Sequence, residues 1–474
     1  MIRLHDSEAE KIDTLTAYFS SERESPDQLL KKLDRDIRKT RRFKLPRLNA
    51  SAARMLLLGC GVAVIVVGLF AATRMIDPVR VDNITLDKLW EYKTLAPIIS
   101  SPAIADIDND GANEVLITST DGKFYALEAR TGKRIFFFET WHPIIASPVC
   151  SRPNGKERWI VFAGEDRKVY TLSGTGRCLW ATIPQTIDTP VISTPALLRI
   201  NAVAIPYNVV AGENGKLYGL DGNRGWLIWR SQETTGKFFS TPMAVRINDD
   251  ITPDLIVGSP DRKVYGIDGR NGQKIWETAV QGPVNSSAIL LDEKTAVIGD
   301  EEGWIFTVDV RTGRIRGKTC LGSSVISSPV ILNRTVKPLI CVPLKDGTIK
   351  ALDAASLKCV WSSDTGYQDA FVATPAVFDL NNDRCDDIVV TSRNGNCYVL
   401  NGRDGKELAE PFFCGNSVSS SPALADLNDD GYLDIVFGSE NGSVYAVSVK
   451  TVPDRLVKRN RIVHGSFLDR GASL

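Results

Sequence analysis

The sequence predicts an all-β fold: an eight-bladed β-propeller of four-stranded blades over residues 86–448, preceded by a short cytoplasmic helical segment and one transmembrane helix. Three observations carry this. A step from a small residue to Pro or Ala recurs at Pro102, Pro148, Pro195, Pro242, Ala288, Pro329, Pro375 and Pro422, at intervals of 46, 47, 47, 46, 41, 46 and 47 residues. A period of 40–50 with short strands is the mark of one propeller blade per repeat. Asp121-Gly122, Asn214-Gly215, Asp346-Gly347, Asn394-Gly395 and Asn441-Gly442 supply the positive φ angles that two-residue hairpins require. A large aromatic closes most copies, at Phe136, Trp180, Trp229, Trp276 and Trp361.

The chain begins with a basic segment, 1–54, holding 13 basic and 9 acidic side chains. Ser25-Pro26 is a helix start, with Ser as N-cap and Pro in the first turn. Leu29, Leu30, Leu33 and Ile37 then follow at helical spacing. Residues 55–73 carry no charge and are bracketed by Arg54 and Arg74. As a helix those residues span roughly 28 Å, about the hydrocarbon thickness of a bilayer. Nine basic against two acidic residues in 31–47 place the N-terminus in the cytoplasm. The expectation is a single-pass protein of the plasma (inner) membrane, held through residues 55–73, with residues 74–85 as linker and the propeller extracytoplasmic.

Within each copy the first strand is short and apolar and the second ends in small residues. The third carries an aromatic followed by alternating apolars, and a Gly turn leads to the fourth. The closing aromatic is expected to wedge against the neighbouring blade. The fifth and seventh copies have Gly317 and Ala409 there, which predicts looser junctions. The eighth copy lacks a fourth strand, and residues 86–92 (LDKLWEY) resemble the missing segment. Pairing the two chain ends in one blade closes the ring and removes its edges. Residues 449–474 then form a basic tail with no strand position left to fill.

Tyr125-Ala126-Leu127-Glu128-Ala129-Arg130-Thr131-Gly132-Lys133 and Gln273-Lys274-Ile275-Trp276 carry a family resemblance. The pattern resembles the PQQ-like propellers, which include quinoprotein dehydrogenases and the bacterial lipoprotein of the outer-membrane barrel assembly machine. The resemblance implies the fold and leaves the function open, since this fold hosts enzymes, scaffolds and sensors. Many PQQ dehydrogenases carry an adjacent Cys pair near the cofactor, and this sequence has none. PQQ is therefore not expected.

Three copies place oxygen donors at alternate positions between their first two strands. Copy one has Asp106, Asp108, Asp110 and Glu114, with Gly111 at the sharp turn. Copy seven has Asp379, Asn381, Asp383 and Asp387, with Arg384 in place of the Gly. Copy eight has Asp426, Asn428, Asp430 and Asp434, with Gly431. Donors at i, i+2, i+4 and i+8 wrap a hard cation. The loops resemble the calcium loops of FG-GAP repeats, which makes structural calcium the expected metal. Copy four has Asn248, Asp250 and Asp254 but Arg246 at the first position, where a guanidinium is expected to replace the ion.

Three histidines far apart in sequence argue against a multi-histidine metal centre, and 57 basic against 57 acidic residues argue against nucleic-acid binding. Eight cysteines beyond Cys60 permit disulfides of undetermined pairing. No catalytic triad or nucleotide fingerprint stands out. The reading is a non-enzymatic scaffold or receptor for an extracytoplasmic protein or saccharide. Two alternatives remain: a sensor acting through the cytoplasmic segment, and a PQQ-dependent oxidoreductase.

Overall fold

The computed structural model describes residues 84–151, 158–183, 185–198, 207–231, 236–335, 337–365 and 370–451. The basic segment 1–54, the apolar run 55–73, most of the linker and residues 452–474 lie outside them. Among the described residues no helix is long and apolar enough to cross a membrane.

The described chain forms eight four-stranded sheets. In seven, four consecutive strands pair in chain order. Blade 1, for example, runs Ala103–Ala105, Glu114–Ser119, Lys123–Glu128, Arg134–Glu139. The eighth takes Ala423–Ala425, Asp434–Gly438 and Ser443–Thr451 from the chain's end and Ile84–Lys93 from its beginning. Every pairing is antiparallel, so direction alternates within a blade. Loops from inner to second strand therefore open on one face, as do the turns from third to outer strand. The second-to-third hairpins and the blade-to-blade connections open on the other.

Closure is as the sequence predicts, but longer. Pairing runs from Ile84↔Thr451 to Lys93↔Ser443, with one irregularity between Lys88 and Trp90. The expected boundaries, 86 and 448, fall inside the paired strands. Val449 is buried, and Lys450, expected in a tail outside the ring, reaches Asp87 of the entry strand at 3.0 Å.

The apolar core divides into eight clusters, each shared by two adjacent blades. Packing is sheet face against sheet face, with outer-strand aromatics seated over the next blade's turn. The indole N–H groups of Trp90, Trp180, Trp229, Trp276 and Trp361 donate to carbonyls of the following blade at 2.7–3.0 Å. Each ring lies flat on a glycine: Gly132, Gly225, Gly272, Gly313 and Gly405, with Phe136 on Gly176. A methyl group on any of these would sit 2.4–2.6 Å from ring atoms. All six have positive φ, so glycine serves both the turn and the close approach.

The two junctions expected to be loose are filled differently. Across from Gly317, the turn glycine is replaced by Leu357, buried and held at φ 57°, whose side chain fills the vacated space. Large and small residues have exchanged sides. Beside Ala409, blade 8 has no third-to-outer turn, and Ile84 and Val449 pack there instead. The Ile84 amide donates to Leu408 O at 3.1 Å.

Toward the axis, the small residue before most of the Pro or Ala steps has a second role. Amides of Ser421, Ser101, Thr241, Ser287 and Thr374 donate to the hydroxyl at the same position one blade on, at 2.8–3.0 Å. These bonds link inner strands that share few other contacts.

Candidate metal centres in three acidic loops

The loops of blades 1, 7 and 8 share one backbone conformation. Their fourth residues, Asn109, Asn382 and Asp429, have φ of 65°, 58° and 61°. Their sixth residues, Gly111, Arg384 and Gly431, have φ of 92°, 67° and 89°. Arg384 thus adopts the left-handed turn that glycine makes in the other two. Blade 8 adjoins blade 1 through the closure, so the three loops occupy consecutive blades on one face.

In each loop the last carboxylate starts the second strand and is buried. One of its oxygens accepts the amide that follows the first ligand position. Ile107 donates to Glu114 Oε2 at 2.8 Å, Leu380 to Asp387 Oδ2 at 2.8 Å and Leu427 to Asp434 Oδ2 at 3.0 Å. The other oxygen of the aspartates, Oδ1 of Asp387 and of Asp434, is buried with no hydrogen-bond partner, as are Oδ1 of Asp106 and of Asp426. Ligand oxygens of Asp106, Asp108 and Glu114 lie within 4.8 Å of one another.

The middle positions shape the turn. Asp108 Oδ1 accepts from Asp110 N at 3.2 Å, Asn381 Oδ1 from Asp383 N at 3.0 Å and Asn428 Oδ1 from Asp430 N at 2.9 Å. Asp110, Asp383 and Asp430 each accept the amide two residues on. Such turns form without an ion. The buried oxygens lacking a donor are what an ion would explain, because an unpaired buried acceptor costs about 1–3 kcal/mol.

Burial and like charge act together here. Burial, opposed by the Ile107 amide and helped by Asp108, Asp110 and Asp106, pushes Glu114 up to about 7. Burial, with Asp430 and Asp426 nearby, pushes Asp434 up to about 7. Burial, with Asp383 and Asp379 nearby, pushes Asp387 up to about 8. A divalent cation reverses this logic by favouring the ionised forms.

Blade 4 is an internal control. Asp254 Oδ2 accepts from Ile247 N and Asn248 N at 2.9 and 3.0 Å. Its Oδ1 accepts from Gly269 N at 3.2 Å and from Asn248 Nδ2 at 3.3 Å. None of the residues from 246 to 254 has a positive φ. The cation near Asp250 is Arg270, at 4.0 Å, rather than the expected Arg246, whose side chain is exposed. The loop meets its own polar needs and leaves no oxygen for a metal.

Blade 7 is intermediate, for a reason its loop sequence does not contain. Arg403, on the third-to-outer turn, approaches Asp383 Oδ2 at 3.6 Å and donates to Asp383 O at 3.3 Å, while Asn401 Nδ2 reaches Asp383 Oδ2 at 3.4 Å. The third ligand position is therefore engaged from outside the loop. Arg403 also donates to Cys385 Sγ at 3.2 and 3.3 Å. No disulfide joins the eight cysteines of the described residues.

On the opposite face one position stands out. The second residue of the blade-to-blade connection is Leu95, Trp141 and Ile183 in three successive connections, 83%, 80% and 72% exposed. Trp141 is held at φ 66°. The same position is Gln281, Gly322 and Gly415 in the connections from blades 4, 5 and 7. Ile99 and Phe239, nearer the axis, are also partly exposed. This arc is not legible in the sequence, because its residues align only once the blades do.

The match to known families decides the relationship. Residues 139–292 and 260–465 match the family described as outer membrane protein assembly factor BamB. The chain belongs to this family. Residues 86–187 also match the lambda-carrageenase β-propeller domain. BamB from Moraxella catarrhalis superposes with a TM-score of 0.58 at 14% identity, covering 77% of this chain and 100% of that one. Sqt1 from Saccharomyces cerevisiae gives 0.59 at 16%, covering 78% and 100%. The computationally designed protein Ika8 gives 0.57 at 17%, covering 76% and 99%. At such identities these likenesses concern the fold. No curated protein matches the sequence.

Proposed function

We propose that this BamB-family propeller is a non-enzymatic protein-interaction scaffold, anchored in the plasma membrane by residues 55–73, with an extracytoplasmic ring stabilised by calcium. The observation that carries the scaffold reading is the arc of Leu95, Trp141 and Ile183. Large apolar side chains at matched positions, exposed on three successive connections and absent from three others, mark an interaction face. Several charges around the arc are paired within the ring, as in Arg230–Asp188, Lys237–Glu213 and Lys123–Glu139. The partner this suits is a protein with an apolar surface. Calcium is supported by the donor set, which consists of hard oxygens, and by the buried oxygens without donors.

A photo-crosslinking side chain at position 141 of the full chain, in the native membrane, tests the scaffold. A discrete protein adduct from 141, and none from 281 on the polar side, is expected. Adducts to saccharide alone would change the ligand class, and equal labelling from both positions would remove the face. Dye reduction after reconstitution with PQQ would replace the scaffold reading with an oxidoreductase.

A further inference from the structure

The acidic loop of blade 8 is built onto the seam of the ring. In seven blades a covalent turn joins third and outer strands. In blade 8 the outer strand, Ile84–Lys93, has no such turn and is held by non-covalent contacts alone. Its undocking therefore requires no other blade to unfold.

The loop reaches that seam through two contacts. Asp434 leads the second strand, whose Ile435 and Val436 pair with Val447 and Ala446 of Ser443–Thr451. Ser448, in the same third strand, is fully buried, and its hydroxyl lacks a full hydrogen bond. It lies beside the Asp434 carboxyl. On the other side Ser448 pairs with Asp87 of the entry strand, which Lys450 holds at 3.0 Å. Asp434 is wholly buried, with Oδ1 unpartnered, and Asp426 Oδ1 is likewise unpartnered. Metal-free, the strand that seats the clasp thus borders a buried carboxyl with an unpartnered oxygen.

We infer that a calcium ion in the blade 8 loop, joining Asp426 to Asp434, locks the entry strand Ile84–Lys93 onto Ser443–Thr451, so that calcium controls closure of the ring. This rests on the calcium reading above and adds a regulatory role for one of the three loops. The blade 1 loop has no such role, since its third and outer strands are joined by the Gly132 turn. Without calcium, the clasp opens more often and exposes the pairing edge of Ser443–Thr451.

Hydrogen exchange on the full chain in detergent, with calcium chloride or chelator, tests this. Calcium at a hundredfold excess over Kd should slow exchange across 84–93 by about a hundredfold if opening requires release of the ion. Asn428→Ala with Asp430→Ala should abolish that protection. Asp108→Ala with Asp110→Ala, in blade 1, should leave it intact. Calcium binding measured by calorimetry, with blade 8 loop amides protected but 84–93 unchanged, would overturn the clasp alone. No calcium binding at all would overturn the calcium reading and the clasp with it.

Discussion

Blades 4 and 8 turn the same corner between inner and second strand, and both place a buried aspartate at its end. In blade 4, Gly269 and Asn248 supply donors to the second oxygen of Asp254. In blade 8 the same oxygen of Asp434 has no amide donor and forms no hydrogen bond, with only the Ser448 hydroxyl nearby, and two residues of the loop adopt left-handed φ. The difference teaches that an acidic turn becomes a candidate ion site when its backbone withholds the amides that would otherwise satisfy it. The number of carboxylates is the lesser criterion. Blade 8 also lacks the covalent turn that blade 4 has, so its loop lies beside a strand held by pairing alone.

The sharpest test of that second difference is to remove the wedge from each blade. Trp90→Ala and Trp276→Ala delete matched side chains that cover Gly132 and Gly313. Each should cost about 3–5 kcal/mol in urea unfolding. Only Trp90→Ala should also make residues 84–93 sensitive to protease under native conditions. Equal protease resistance would show that the seam is as firmly held as a continuous blade.

Calcium itself divides the two loops next. At a hundredfold excess over Kd an occupied site adds about 2.7 kcal/mol. Calcium should raise the melting temperature of the purified chain and chelator should lower it. Asp108→Ala plus Asp430→Ala should remove most of that response, whereas Asp250→Ala in blade 4 should leave it unchanged. A melting curve indifferent to calcium and chelator would reduce all four loops to ordinary turns.

Breaking the self-sufficiency of blade 4 should have a smaller effect. Asn248→Ala withdraws one donor from Asp254 and should cost about 1–2 kcal/mol, the same with and without calcium. Arg246→Asp alone should not create a site, because β-branched Ile251 resists the left-handed turn. Calorimetry should show no added calcium equivalent for Arg246→Asp, since Gly269 and Asn248 still satisfy Asp254.

The same carboxylates also make the ring sensitive to pH. Glu114 and Asp434 at about 7 and Asp387 at about 8 keep protons that the unfolded chain releases near pH 4. The folded state therefore binds more protons across that window, and stability of the metal-free ring falls as pH rises from about 4 to about 8, then levels. Melting in chelator at pH 5 and pH 8 should show the fall. Saturating calcium should shrink it.

Much of this was legible in the chain because it is local. The period gave the blade count, the Asn-Gly and Asp-Gly pairs gave the hairpins, and Trp90 within LDKLWEY gave the closing strand. The three loops were legible for the same reason: their donors lie within nine consecutive residues. Arg403 was not, since it meets Asp383 from 20 positions away across a turn. Nor was Arg270 beside Asp250, which the sequence assigned to Arg246.

What the sequence by itself determined is thus the repeat, its number, its closure and the composition of the acidic loops, all set by short-range pattern and turn chemistry. Tertiary structure alone decided which carboxylate oxygens lack a donor, why Leu357 at a glycine position completes the junction beside Gly317, and that Leu95, Trp141 and Ile183 share one face. Each of these depends on segments about 15 to 50 residues apart being brought to matched depth by sheet packing. Side chains 40 residues apart cannot be seen to fill one another's space until the blades that carry them are stacked.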